Sequence, residues 1–183
     1  DLASLRAMNE LASVGDTHVY LQADEIVTPP SFTVTVSTRG VQMMAARDFP
    51  PIEDERIEKL GEADAADMLE LVTLTRPGPF TMRALALGDF WGIRQDGRLI
   101  VMAGERLKVE GLTELSGVCT HPDVSGQGFG RLMTLYAAGR ICAKAEQPFL
   151  HTYATNDVAI ALYEKIGFRL RSGMNVAVVE RRI

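Results

Sequence analysis

Polar and apolar positions along this chain repeat with two different periods, and each change of period marks the end of an element. From Leu112 to Thr120 the residues are largely apolar or small with turn formers at both ends, which predicts a buried strand. From Phe129 the apolar residues fall at Leu132, Met133 and Tyr136, one face of a helix that can run to about Ala145. Asp64 to Thr75 carries Ala65, Met68, Leu69, Leu71 and Val72 among helix formers, with Asp64 as its cap. Arg76-Pro77-Gly78-Pro79 must break that helix, and Phe80 to Leu87 predicts a second, short one closed by Gly88. Phe90 to Arg94 and Arg98 to Leu107 read as strands joined by the hairpin signal Gln95-Asp96-Gly97, with a further turn over Lys108 to Gly111. Phe149 to Thr152 predicts a strand, Asn156 to Ile166 a helix and Phe168 to Val179 a closing strand. Ahead of all these, His18 to Gln22 and Phe32 to Met44 look strand-like, the latter alternating Phe32, Val34 and Val36 against Thr33, Thr35 and Ser37. Strands and helices in this order predict an α/β layer arrangement.

Composition narrows the picture. At 183 residues and 46% hydrophobic, the chain can build one full core with an extension but not two ordinary domains. Pro29-Pro30 and Pro50-Pro51 bracket the strand-bearing start, so residues 1–50 are expected to form an N-terminal extension and residues 51–183 the main domain. The net charge of −5 is uneven: residues 1–90 hold 15 acids and 7 bases, residues 91–183 hold 9 acids and 12 bases. The positive half suits an anionic small molecule better than nucleic acid, which wants a denser basic stripe. Ordinary surface charge explains the balance equally well. Two cysteines and three scattered histidines give neither a disulfide framework nor a zinc pattern, so a reducing, cytoplasmic setting and no metal are expected. No apolar run is long enough to cross a bilayer, and no membrane association is expected. Because the chain begins at Asp1, its natural start is expected upstream, and targeting stays open.

The candidate chemistry lies in Val118-Cys119-Thr120-His121-Pro122-Asp123-Val124-Ser125-Gly126-Gln127-Gly128-Phe129-Gly130-Arg131, where the predicted strand gives way to the predicted helix. Three alternating glycines take backbone angles forbidden to other residues, so successive amides can converge on phosphate oxygens at the positive end of the helix. A Walker loop would need Gly-Lys-Ser/Thr, and none is present. A dinucleotide fingerprint would need a third glycine where Arg131 stands. A diphosphate-bearing ligand therefore remains, beside the plain alternative of a glycine-rich turn with no ligand.

Thr120 to Leu132 resembles the signature of the GNAT N-acetyltransferase superfamily, Arg/Gln-x-x-Gly-x-Gly/Ala after a His-Pro-Asp-like turn. The resemblance covers roughly Ile57 to Phe168, including Asn156 and the stretch Ala161 to Phe168. It implies a mixed, mainly antiparallel central sheet flanked by helices, and acetyl-CoA as cosubstrate. The cofactor-binding residues it implies are Val118, Cys119, Thr120, Ser125, Gly126, Gln127, Gly128, Phe129, Gly130, Arg131 and Asn156. Ser125 stands where the family most often has Arg or Gln, and Arg131 is the candidate to supply the missing charge. The family's bulged fourth strand, splayed from the fifth, would let pantetheine bind along Val118 to Thr120 like an added strand.

Tyr163 lies seven residues after Asn156, which returns to nearly the same helical face. The resemblance implies Tyr163 as general acid, against a simple packing role. Strand alternation puts Glu114 on one face with Ser116, Val118 and Thr120, and members with a Glu at that place make Glu114 the first choice of base. An edge-strand Glu in solvent is the alternative. His151, on the strand where other members carry a Glu, is the second candidate, against a buried, satisfied histidine. Cys119 reads as core rather than nucleophile. In the family, the region of Phe80, Met82 and Arg83 covers the acceptor cleft, though each of these residues can equally be packing. The reading is an acetyl-CoA-dependent N-acyltransferase that transfers directly to a primary amine, on a small molecule, peptide or protein, with a homodimer as one possible assembly. Its rivals are a non-catalytic acyl-CoA-binding module and a nucleotide-binding regulatory domain.

Overall fold

The computed structural model describes residues 2–81 and 83–183. In order these form α1 (Leu2–Leu11), β1 (Thr17–Gln22), β2 (Phe32–Ala45), β3 (Ile57–Leu60), α2 (Ala65–Thr75), β4 (Phe90–Gln95), β5 (Arg98–Val109), β6 (Leu112–Thr120), α3 (Phe129–Cys142), β7 (Gln147–Tyr153), α4 (Asp157–Ile166) and β8 (Phe168–Arg181). The eight strands make a mixed, mainly antiparallel sheet, the α/β class the patterning predicts.

Two compact units divide the chain. The first contains the chain up to Gln42, Thr152–Asp157 and Arg171–Ile183. In it β1 pairs antiparallel with β8, Tyr20 opposite Ala177 and His18 opposite Val179. Ala12, Phe32, Ala177 and Val179 form its buried cluster, with Met8 of α1 packed against them.

The second unit, Met43–His151 with Val158–Leu170, carries the candidate chemistry. Here β3, β4, β5 and β6 are antiparallel neighbours, and β6 pairs parallel with β7. The β4–β5 turn is tight because Asp96 (φ 51) and Gly97 (φ 81) both adopt the left-handed region that this hairpin type requires. On one face Met68, Leu71 and Val72 of α2 bury against Phe90, Met102 and Cys119. Trp91, next to Phe90 and so on the opposite face, meets Tyr136 of α3 edge to face at 5.8 Å. Helix α3 also lies close to the Pro50–Pro51 segment: a Cβ on Gly139 would come within 2.6 Å of the Pro50 carbonyl oxygen.

Two local expectations are corrected. Among the described residues from Phe80 to Leu87 there is no α-helix, and a 3-10 turn, Ala84–Ala86, is present. Eight residues are too few to hold a helix without tertiary support. Here Phe80 is turned edge-on to Phe90 at 5.8 Å, and Gly88 approaches Glu105 so closely that a Cβ would lie 2.6 Å from it. Asp64 does not cap α2 with its side chain either. Its carboxylate accepts the Gly61 amide at 2.9 Å across the preceding 3-10 turn, and its other oxygen accepts from Arg94 at 2.6 Å.

Candidate active site

Two irregularities in the β5–β6 ladder build the site. Met102 pairs with Cys119 and Gly104 with Ser116, so β6 spends three residues where β5 spends two. Gly117, at φ 63, occupies the left-handed position of such a bulge. Directly opposed residues point to the same side, so Ser116 and Cys119 share a face, and alternation adds Glu114. This corrects the grouping of Glu114 with Val118 and Thr120: the extra residue at Gly117 reverses the alternation. Thr120 instead packs at the start of α3, where a Cβ on Gly130 would lie 3.3 Å from its hydroxyl.

The second irregularity lies between Glu105 and Lys108, where the register to Leu115 and Thr113 shifts. It leaves both Arg106 and Leu107 opposite Glu114. The Arg106 guanidinium grips the Glu114 carboxylate with two bonds, Nε to Oε2 at 2.8 Å and Nη2 to Oε1 at 2.7 Å. The Leu107 amide donates a longer third bond of 3.4 Å. On the other side the parallel register sets Glu114 beside Phe149, which carries His151, two residues on, to the same face. His151 Nδ1 lies 2.8 Å from Glu114 Oε1. Three adjacent strands therefore bring Arg106, Glu114 and His151 together. The edge-strand alternative for Glu114 is excluded, since the residue is 1% exposed on a central strand. Burial works against its charge, but hydrogen bonds from His151 and Arg106 outweigh burial and hold the carboxyl below its ordinary range.

Tyr163 of α4 is buried and meets Phe168 edge to face at 6.1 Å. Burial, with Cys119 nearby, pushes its phenol up to about 12, so it keeps its proton at any working pH. Burial likewise raises the Cys119 thiol to about 12, against a smaller opposite effect from Thr75. A thiol this hard to ionise is no nucleophile, and Cys119 belongs with the core cluster.

The glycine loop lies where β6 ends. His121 accepts the Asp123 amide at 3.2 Å and starts a 3-10 turn over Pro122–Val124. Gly126 (φ 78) and Gly128 (φ 87) then turn the chain into α3, and a Cβ on either would meet open space. The first amide of the helix to find a helical acceptor is Leu132, bonded to the Gly128 carbonyl at 3.0 Å. The amides of Phe129, Gly130 and Arg131 are thus the unsatisfied donors that every helix start presents, at its positive end. Arg131 is exposed in this first turn, and Arg56 stands 5.8 Å from the Phe129 ring. Register pairing of β6 with β7 covers Leu112 to Glu114 alone among the described residues, so Leu115 to Thr120 face that side without a paired strand. An uncovered strand edge leading into a glycine-lined helix start fits a ligand with an amide-bearing arm and a diphosphate.

Comparisons with known proteins agree with this geometry. The FR47-like protein family matches residues 90–177. A GNAT-family protein of Novosphingobium aromaticivorans is 35% identical, with 96% of this chain and 78% of that one covered and a TM-score of 0.88. The chain belongs to the GNAT acetyltransferase family. Its fold is also that of the ribosomal-protein-S18-alanine N-acetyltransferase of Escherichia coli, with a TM-score of 0.55 at 19% identity over 69% of this chain and 94% of that one. A GNAT acetyltransferase of Colwellia psychrerythraea gives a TM-score of 0.62 at 14% identity over 81% of this chain and 57% of that one. Comparison with curated proteins gives no match.

In this GNAT chain the other candidate residues are distributed as follows. Asn156, whose amide donates to the Tyr153 carbonyl at 3.0 Å, is the residue before α4 and belongs to the first compact unit. Phe80 packs against the α2 cluster, Arg83 is exposed beside the 3-10 turn, and Met82 lies outside the described residues. Arg106 and Arg56 were not singled out by sequence; an isolated Arg on a strand or in a loop carries no signal until its partner is known. A groove of about 770 Å³ opens beside Arg47, Phe49, Gly111 and Cys142. It borders the start of β6, one strand length of roughly 30 Å from the glycine loop, and plays no part in the site. Among the described residues no His, Cys, Asp and Glu cluster could hold a metal ion, and no helix is long and apolar enough to cross a membrane.

Proposed function

We propose that this GNAT protein transfers an acetyl group from acetyl-CoA directly to a primary amine of a small molecule or peptide. The observation that carries the proposal is the helix start at Gly128, with its left-handed glycines and three unsatisfied amides, at the end of a strand edge that β7 leaves uncovered. In this reading the amides at Phe129, Gly130 and Arg131 bind the diphosphate, and the edge of Val118 to Thr120 bonds the pantetheine arm. The neutral amine nitrogen attacks the thioester carbonyl, the carbon–sulfur bond breaks, the departing sulfur takes its proton from the Tyr163 phenol, and the proton that the nitrogen loses restores the phenol by way of solvent. No covalent bond to the protein is needed. Two free cysteines, Cys119 and Cys142, fit work in a reducing compartment such as the cytoplasm. Calorimetric titration with CoA tests the cradle: wild type should bind, and Gly128→Val should lose the affinity while remaining folded. Equal binding by both proteins would reduce the loop to a turn.

A further inference from the structure

We propose that the end of the β5–β6 hairpin, through Leu107, Val109 and Leu112, holds the apolar body of the acceptor, which is therefore an amine with an alkyl or aryl chain. The proposal rests on the transferase reading above and gives it an acceptor class. It follows from which way β5 turns its side chains. Trp91 faces Tyr136 of α3 and pairs with Ala103, so alternation puts Ala103 and Glu105 on that side. An unbroken strand would have turned Leu107 and Val109 there too. The irregularity between Glu105 and Lys108 inserts one residue and reverses the order. Lys108 now pairs with Thr113, and both look toward α3: the Lys108 ammonium meets the Glu105 carboxylate at 2.8 Å, and the Thr113 hydroxyl donates to Glu146. Leu107 and Val109 are turned to the opposite face, that of Glu114, where they stand 46% and 59% exposed. Leu112, directly opposite Val109 and two residues before Glu114, joins them half-buried.

The hairpin end is thus reversed from the ordinary pattern, with polar groups inside and apolar ones in water. Glu105 and Thr113 are buried, and Lys144 closes on Glu105 at 2.6 Å. Neighbouring aliphatic side chains left uncovered beside a reactive site mark a surface that a ligand covers. The direction of the cofactor says which ligand. With the diphosphate at the helix start beyond Thr120, the pantetheine arm runs back along β6 from Thr120 past Val118, so its sulfur end points toward Ser116 and Glu114. The acceptor must meet the thioester from beyond that end. Leu112 follows on the same face two residues from Glu114, about 7 Å of strand, with Val109 opposite it and Leu107 beside Arg106. The row is continuous with the site, and Lys108, the charge between Leu107 and Val109, is turned away from it.

The test is kcat/KM at one pH with acetyl-CoA and the straight-chain amines from methylamine to hexylamine, whose nearly equal basicity leaves chain length as the variable. Each added methylene should raise kcat/KM about 2- to 4-fold until the row is covered. Leu107→Asn combined with Val109→Thr should flatten the rise to less than about 1.5-fold per methylene, since the polar replacements gain little from covering. A flat series with wild type overturns the proposal, and so does a slope that the double variant keeps. Melting and CoA titration show whether the double variant is folded. Should it melt early, Val109→Thr alone, a change of similar shape at an exposed position, should still lower the slope, and an unchanged slope overturns the proposal. Sedimentation over about a hundredfold range of concentration addresses the rival occupant: a dimer that the double variant dissociates, beside a flat amine series, seats a second copy of the chain on the row and overturns the proposal. Methyl NMR, with Leu107 and Val109 assigned by their loss in the variants, should show both shifting on addition of hexylamine and not of methylamine. If no amine is acetylated, the transferase reading fails and the acceptor role with it. The methyl shifts still report whether the row takes an alkyl chain, so the two failures are told apart.

Discussion

Burial acts differently on the three titratable groups at the site. Glu114 keeps its charge because His151 and Arg106 offset the loss of water, whereas burial prevails at Tyr163 and, over the smaller effect of Thr75, at Cys119, and both are held neutral. Both groups have folded values of about 12, above their ordinary values, so between those values and 12 the unfolded chain releases protons that the folded one retains. Stability should therefore fall as pH rises through that window, by about 1.4 kcal/mol per pH unit for each group. Urea unfolding between about pH 9 and 12 measures the slope, and Tyr163→Phe should remove the tyrosine's share of it. The same variant should bind CoA as wild type does while its kcat falls tenfold or more at every pH, about the loss expected for positioned proton transfer. For Glu114 the sign reverses: a depressed folded value means that its stabilisation is present above the ordinary carboxyl range and is lost as pH falls through the folded value. Acid unfolding of Glu114→Gln should accordingly be less steep than that of wild type.

At the scale of elements, the glycines divide by what they do. Gly126 and Gly128 face open space, so a side chain there has room but must adopt a positive φ and would stand where the ligand lies. Gly117 is constrained twice: φ is 63, and a Cβ would lie 3.0 Å from the Phe90 ring. Gly117→Ala should cost about 1–2 kcal/mol from the left-handed conformation, measured by urea unfolding, and should lower activity by disturbing the bulge that sets the strand edge from Val118 to Thr120. The periods of the sequence were enough to place β5, β6, α3 and the β4–β5 turn, because one buried face and one turn dipeptide determine each. They could not show the bulges at Gly117 and at Arg106–Leu107. A bulge is a mismatch between two strands, and neither strand's sequence alone records it. The error over Val118 and Thr120 and the silence over Arg106 both follow from that. The helix expected over Phe80 to Leu87 failed for another reason: Phe80 and Gly88 are held by Phe90 and Glu105, contacts distant in sequence.

Over the whole molecule, the sequence signature at Thr120 to Leu132 led to the family, and a relative at 35% identity across 96% of the chain shows it. Helix α1 went unread because LASLRAMNEL has no acid in its first turn and no base in its last to announce its ends. A ligand that binds only the folded state must stabilise it. CoA at 100 times its Kd should add about 2.7 kcal/mol, a Tm rise of roughly 5–10 °C for a chain of this size, read by calorimetry. The most direct test of the account is the mass balance of a reaction with acetyl-labelled acetyl-CoA and a panel of amines and peptides. The account predicts that free CoA and acetylated amine appear in equal amounts, with no label left on the protein. Tight CoA binding without any acetylated product would contradict it and leave a binding module in its place.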